Sequence, residues 1–248
     1  MGDSTQELFN ITEKQRKIMY DAIIFGGSSG IGLSTAIQLK NEGLSVLAVS
    51  RNAENNSLLN HNLIHGKNLD IAYYEELLQL FSKEVATKYI IATPSSPLLF
   101  DKIENISLHE AKMSFEKFWN YFSLIKLAAK TLKKLESITL VTGAIAKKNI
   151  AGTLLPKITN NAINEMVKTL AVELAPLRIN AVSPGVTNTP LYDNFENKDQ
   201  MLQKIANATP LQRIADPIEI AEAILLVVKN KNMTGTIIDC DSGASLTD

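Results

Sequence analysis

Residues 21–32 read DAIIFGGSSGIG, an apolar run that passes directly into glycines. The run over 21–27 predicts a buried strand, and apolar residues at helical spacing follow over 30–42. Gly26, Gly30 and Gly32 stand in the pattern G-xxx-G-x-G, with Ser28, Ser29 and Ile31 filling the turn. Glycine lets backbone come close to a phosphate group. A helix N-terminus adds free N–H groups and a favourable dipole. A turn of this kind between a strand and a helix predicts a dinucleotide site.

The same alternation continues outward along the chain. LSVLAVS (44–50) reads as a second strand, NLIHGKNLD (62–70) contains a third, KYIIAT (88–93) is a fourth and SITLVTG (137–143) a fifth. RINAVSPG (178–185) and GTIIDCDSG (235–243) complete about seven strands. Helical spacing covers 73–81, 107–134 as one long helix, 158–175 and 217–230, the last opening on a proline. Strands alternating with helices predict a single α/β domain, a doubly wound parallel sheet covered on both faces. RNAENNSLLNHN, between the second and third strands, has room for a loop or a single short turn.

Composition narrows the function classes. The chain has 248 residues, 45% hydrophobic and 21% charged, enough for one large domain with a substantial core. A formal net charge of −1 gives no broad basic face for nucleic acid or an anionic membrane. No run approaches ~18 apolar residues, so no transmembrane helix is expected. The single Cys240 excludes an internal disulfide and fits a reducing cytoplasm. His61, His65 and His109 lack metal-ligand spacing. Residues 1–18, MGDSTQELFNITEKQRKI, are polar and lack a signal-peptide apolar region. They read as an extension, natural or non-native, ahead of a domain over 19–248.

The second strand ends 18 residues after Gly32, where a dinucleotide's adenosine ribose is read. An acidic residue there would favour a free 2′-hydroxyl. Ser50 and Arg51 stand there instead, and a guanidinium suits a 2′-phosphate. NADP(H) is therefore expected over NAD(H).

Taken with GGSSGIG, four further features carry a family resemblance. They are Asp70 after the third strand, Asn120 in the long helix, LAVELAPLRINAVSPG (170–185) and MTGTIIDCDSG (233–243). The chain resembles the short-chain dehydrogenase/reductase superfamily, with its Rossmann fold, over nearly all its length after Met19. The resemblance implies that Asp70 binds the adenine amino group, with Leu69 or Ile71 beside the ring. It implies that the turn SPGVTNT (183–189) flanks the nicotinamide through Pro184, Gly185, Val186 and Thr189, and that 190–212 form a substrate lid. Thr93 lies in ATPSSP (92–97), where the family has an Asn-Asn-Ala-Gly turn. A homodimer or homotetramer packed through 107–134 and 158–175 is also implied, with Trp119, Phe122 and Leu127 lining the contact or belonging to the core.

The family's chemistry uses a Ser, a Tyr and a Lys, helped by an Asn. The Tyr, with an ordinary pKa near ~10, is the proton donor, and the lysine cation lowers that value. Counted back from Leu170, the lysine position falls on Asn160, the tyrosine on Pro156 and the serine on Gly143, beside Thr142. A slip of one residue would substitute Lys157 and Asn161, which does not restore the set. Asn120 is retained, for a helix kink or a water relay, and the Asn160 amide suits ribose hydroxyls. Thr142, Lys157, Tyr192 and Tyr121 remain as substitute catalytic groups. Two main readings follow: an NADP(H)-dependent oxidoreductase acting on a carbonyl or alcohol through a degenerate site, or a non-catalytic NADP(H)-binding protein such as a redox sensor or assembly partner. A purely structural subunit is the third.

Overall fold

Strand β1 (Ile18–Phe25) is buried without a break from Ala22 to Phe25 and pairs in parallel with a neighbour on each side. The computed structural model describes residues 17–95 and 99–247. After β1 come α1 (Gly30–Asn41), β2 (Val46–Ser50), α2 (Ser57–His61), β3 (His65–Asn68), α3 (Tyr74–Gln79) and β4 (Val85–Ala92). Then follow α4 (Leu108–Ser114), α5 (Glu116–Thr131), β5 (Ser137–Val141), α6 (Leu154–Glu173), β6 (Arg178–Pro184), α7 (Lys198–Asn207), α8 (Pro217–Lys229) and β7 (Ile237–Cys240). The seven strands form one parallel sheet in the order β3-β2-β1-β4-β5-β6-β7. This is the doubly wound sheet expected from the strand–helix alternation.

Alternate residues of each central strand serve opposite faces. Ile23 and Phe25 of β1 and Ile90 of β4 pack with Leu77 (α3), Leu124 (α5), Ile163 and Val167 (α6). Ala22 and Ile24 of β1 and Ile91 of β4 pack with Leu39 (α1), Ile224 and Val228 (α8). Each fully buried Leu or Ile contributes roughly 1.5–3 kcal/mol, so the two cores dominate stability. The sheet order reverses between β1 and β4. Their carboxyl ends flank the crevice in which such sheets bind ligands, and Thr93 donates its backbone N–H to the Phe25 carbonyl across it at 2.9 Å.

Several expected boundaries are corrected. The single helix over 107–134 is two: α4 ends at Ser114, Phe115 takes a near-zero ψ of −2°, and α5 begins at Glu116. At the break the Ser114 carbonyl accepts from the Thr159 hydroxyl of α6 at 3.2 Å. The apolar stripe is continuous on both sides of the break, so periodicity does not register it. Helix α6 starts at Leu154 rather than 158, because Pro156 falls in its first turn, where no N–H is needed. Strand β4 starts three residues earlier than read, at Val85, opposite Ile18. Strand β1 thus includes Ile18, read as the end of the extension, and residues 1–16 of that segment lie outside the described residues. The connection between β2 and β3 is the short turn α2, begun by the Asn56 side chain accepting from Leu58 and Leu59 N–H groups. Leu127 is 1% exposed and belongs to the core, not to an open helix face.

Candidate functional site

The glycine turn is built around two close approaches. A Cβ on Gly32 would lie 2.1 Å from the Gly26 carbonyl oxygen, and one on Gly26 would lie 2.6 Å from Thr93 Oγ1. Gly26 also has φ +81°, a left-handed conformation that disfavours side chains. Thr93 Oγ1 donates to the Phe25 carbonyl at 3.0 Å and closes the turn from β4. Thr189 closes it from the other side, its methyl 3.1 Å from the position a Cβ on Gly30 would take. Ser29 precedes α1 in extended conformation, and the half-buried Ile31 accepts from Thr35 through its carbonyl.

The side where the sequence predicts an adenosine site is assembled from β2 and β3. Ser50 Oγ donates to Ser28 Oγ at 2.7 Å, tying the end of β2 to the glycine turn. Asn56 Nδ2 donates to the Ser28 carbonyl at 3.0 Å, a brace that the sequence reading did not single out. Its signal was an Asn directly before a short helical run. Arg51 follows β2 and is exposed. The Leu69 N–H donates to the Ser50 carbonyl at 3.0 Å, which brings half-buried Asp70 to the same edge between buried Leu69 and Ile71. Asp70 Oδ1 accepts from the Ala72 N–H at 3.0 Å, leaving Oδ2 without a partner among the described residues.

The turn after β6 is held from behind. The Gly185 N–H donates to the Cys240 carbonyl at 2.9 Å, and a Cβ there would lie 2.8 Å from Asp241 Cα. Ala215 donates its N–H to the Val186 carbonyl and accepts from the Asn188 N–H. Pro184 to Thr189 are thereby fixed along the crevice rim.

At the ends of β5 and α6 lies a second cluster. Thr142 is buried, and its hydroxyl donates to the Val182 carbonyl at 3.4 Å. A Cβ on Gly143 would sit 3.5 Å from Asn160 Nδ2. Asn160 is 8% exposed; its Nδ2 donates to the Pro156 carbonyl at 2.8 Å. Its Oδ1 accepts at 3.1 Å from Lys117 Nζ, which reaches in from α5. Lys117 Nζ lies 3.4 Å from the Thr142 carbonyl and 5.7 Å from the centroid of the Tyr121 ring. Burial of this ammonium lowers its pKa from 10.5 to about 8. Tyr121 is fully buried, with its hydroxyl at 2.9 Å from the Ala92 carbonyl and 3.0 Å from that of Val141; burial pushes its phenol far above the ordinary range.

Lys117 was not among the residues read from the sequence. Its signal was register: positions 117, 121, 124 and 128 share one helix face, and the last three are buried. Lys157, which was read as a candidate, turns elsewhere. Its Nζ donates to the Lys148 carbonyl and to Asn149 Oδ1, both at 2.6 Å. Asn161 Nδ2 bonds the Ala146 carbonyl at 2.7 Å. Asn120 is half-buried on α5 and makes no side-chain hydrogen bond with the described residues. Tyr192 lies in a 3₁₀ turn against Phe195, and burial raises its phenol. The structure thus gathers Thr142, Gly143 and Asn160 around Lys117, and leaves Lys157 outside that cluster.

A family model described as enoyl-(acyl carrier protein) reductase matches residues 95–245. The chain is 32% identical to the 1,2-dihydroxy-1,2-dihydronaphthalene dehydrogenase of Pseudomonas putida, over 90% of this chain and 96% of that one. It is 28% identical to a short-chain dehydrogenase/reductase of Stachybotrys chlorohalonatus, over 90% and 96%. A small-chain dehydrogenase solved in complex with NADPH superposes with a TM-score of 0.78 at 32% identity, over 93% of this chain and 99% of that one.

Proposed function

The chain belongs to the short-chain dehydrogenase/reductase family, and on that premise we propose that it is an NADP(H)-dependent oxidoreductase interconverting a carbonyl compound and its alcohol. The observation that carries this reading is the glycine cradle closed by Thr93 and Thr189, with Arg51 exposed at the end of β2. Side chains at Gly26 or Gly32 would meet Thr93 Oγ1 or the Gly26 carbonyl and force apart the turn whose N–H groups a pyrophosphate needs. When bound, the nicotinamide cofactor supplies the hydride chemistry. The protein's own part is to bind and to orient. Gly26 to Gly32 and the N-terminus of α1 hold the pyrophosphate. Arg51 holds the 2′-phosphate, Asp70 the adenine, and Pro184 to Thr189 the nicotinamide end. Residues 190–212 cover the substrate.

The positions matching the family's Ser, Tyr and Lys hold Gly143, Pro156 and Asn160. A second reading, a non-catalytic NADP(H) binder, is favoured by Pro156, which brings no hydroxyl to the proton-donor position. Fluorescence titration tests the binding common to both. NADPH should bind at micromolar concentration and NADH at least tenfold more weakly. Arg51→Ala should weaken NADPH by about 10- to 150-fold, because a charge-assisted bond is worth ~1.5–3 kcal/mol. Absence of binding by either form would sink both readings. Oxidation of NADPH across a panel of carbonyl compounds separates them, since a binder turns over none.

We further propose self-association through α5 and α6, in a reducing cytoplasm that suits the lone Cys240. Trp119 is 58% exposed and Phe122 42%, with ring centroids 6.1 Å apart, an apolar pair open on α5. Among the described residues no helix is long and apolar enough to cross a membrane. Trp119→Glu with Phe122→Glu should convert the assembly to monomers in size-exclusion chromatography with light scattering. An unchanged mass would remove α5 from the contact.

A further inference from the structure

We propose that Lys117 and Asn160 together perform the work of one lysine, Asn160 giving the hydrogen-bonding contact on α6 and Lys117 giving the positive charge from α5. The inference rests on the NADP(H)-dependent reading above. Its starting point is a half-buried charge without a counter-charge. Lys117 Nζ is held by two neutral oxygens, Asn160 Oδ1 at 3.1 Å and the Thr142 carbonyl at 3.4 Å. Among the described residues no carboxylate pairs with it. A desolvated ammonium without a counter-ion is costly, and such groups concentrate at functional sites.

The place of this charge matters more than its cost. It lies between the ends of β4 and β5 and the first turns of α6, beside Gly143 and Thr142. Asn160 is polarised by it. With Oδ1 accepting from Lys117 and one Nδ2 proton given to the Pro156 carbonyl, the amide orientation is fixed. The remaining Nδ2 proton is available on the side of Gly143, 3.5 Å from where a Cβ would stand. Lys117 therefore acts as a positioning residue: it sets Asn160 and adds a positive field at the nicotinamide end of the crevice. The titratable group facing Lys117 is Tyr121 on its own helix. Strand β5 and α6 present Thr142 and Asn160, which do not ionise, and Lys157 of α6 is turned to Lys148 and Asn149.

A reciprocal exchange tests the idea by NADPH fluorescence titration from pH 7 to 10. In the wild type, affinity should fall as Lys117 loses its proton. Lys117→Met and Lys117→Asn should each weaken NADPH binding at pH 7 at least tenfold, the scale of a lost charge-assisted contact, and flatten that pH profile. The double variant Lys117→Asn with Asn160→Lys returns the charge to α6 and should recover affinity to within about threefold. Wild-type binding that Lys117→Met leaves unchanged in strength and pH dependence would overturn this inference alone. So would a double variant no better than Lys117→Asn, provided it melts cooperatively. A wild type that binds neither NADPH nor NADH would overturn the underlying reading and this inference with it.

Discussion

Gly32→Ala should abolish measurable dinucleotide binding, lowering NADPH affinity more than ~100-fold, and should also lower the melting temperature. The added methyl would stand 2.1 Å from the Gly26 carbonyl oxygen and 2.6 Å from Thr93 Oγ1. Both neighbours are fixed, one being backbone and the other bonded to the Phe25 carbonyl. Relief requires α1 to move away from β1, which spreads the N–H groups that would meet a pyrophosphate. Overpacking in a rigid site costs about 1–3 kcal/mol, and a clash with backbone lies at the upper end. At ~2–4 °C per kcal/mol for a chain of this size, the melting temperature should drop by about 6–12 °C. Gly43→Ala is the control. Gly43 has φ +82° but nothing within 4 Å, so only conformational strain of about 1 kcal/mol is expected, with NADPH binding intact. Gly32 itself is helical and has no positive φ, so an effect at position 32 no larger than that at Gly43 would mean that the close approach is relieved without moving α1.

The second large effect is on stability against pH. Lys117 has its pKa lowered by burial from 10.5 to about 8. Below pH 8 the folded protein carries a charge it holds poorly. Between about pH 8 and 10.5 the unfolded chain keeps the proton and the folded chain does not, so stability from this group rises with pH. At about 1.4 kcal/mol per tenfold change in protonation, the rise is on the order of 3 kcal/mol. Other lysines and tyrosines titrate in the same window, so the informative quantity is the difference between wild type and Lys117→Met. Urea midpoints should show the wild type gaining that amount on the variant between pH 7 and 10.5. A difference constant with pH would mean that Lys117 titrates as a solvated lysine. The variant also leaves Asn160 Oδ1 without its donor, at about 1–3 kcal/mol, and that term does not vary with pH.

The sequence exposed those features whose physical cause is short in range. AIIF (22–25) reads as a strand because its residues are apolar without interruption, and the order of strands and helices then leaves few topologies. GGSSGIG reads as a phosphate turn because the glycines, the strand end and the helix start are neighbours in the chain. Arg51 was singled out because it directly follows a strand end, and Asp70 because the family resemblance points to it. The same local logic misplaced attention on Lys157, the lysine adjacent to Pro156. On α6, however, residue 157 turns toward the loop at 148–149, and only residue 160 points into the cluster.

Lys117 and Asn160 are 43 residues apart on different helices, and no local pattern joins them. Their contact follows from α5 and α6 packing on the same face of the sheet, and the break at Phe115 lies where a hydroxyl of α6 meets the Ser114 carbonyl. The chain's apolar pattern specifies which faces are buried, because burial energy depends on area and not on partner. Which polar groups then meet inside those faces depends on helix start, break and rotation. Tertiary packing sets these three, and in this protein it brought a half-buried lysine to the asparagine that stands where a lysine was expected.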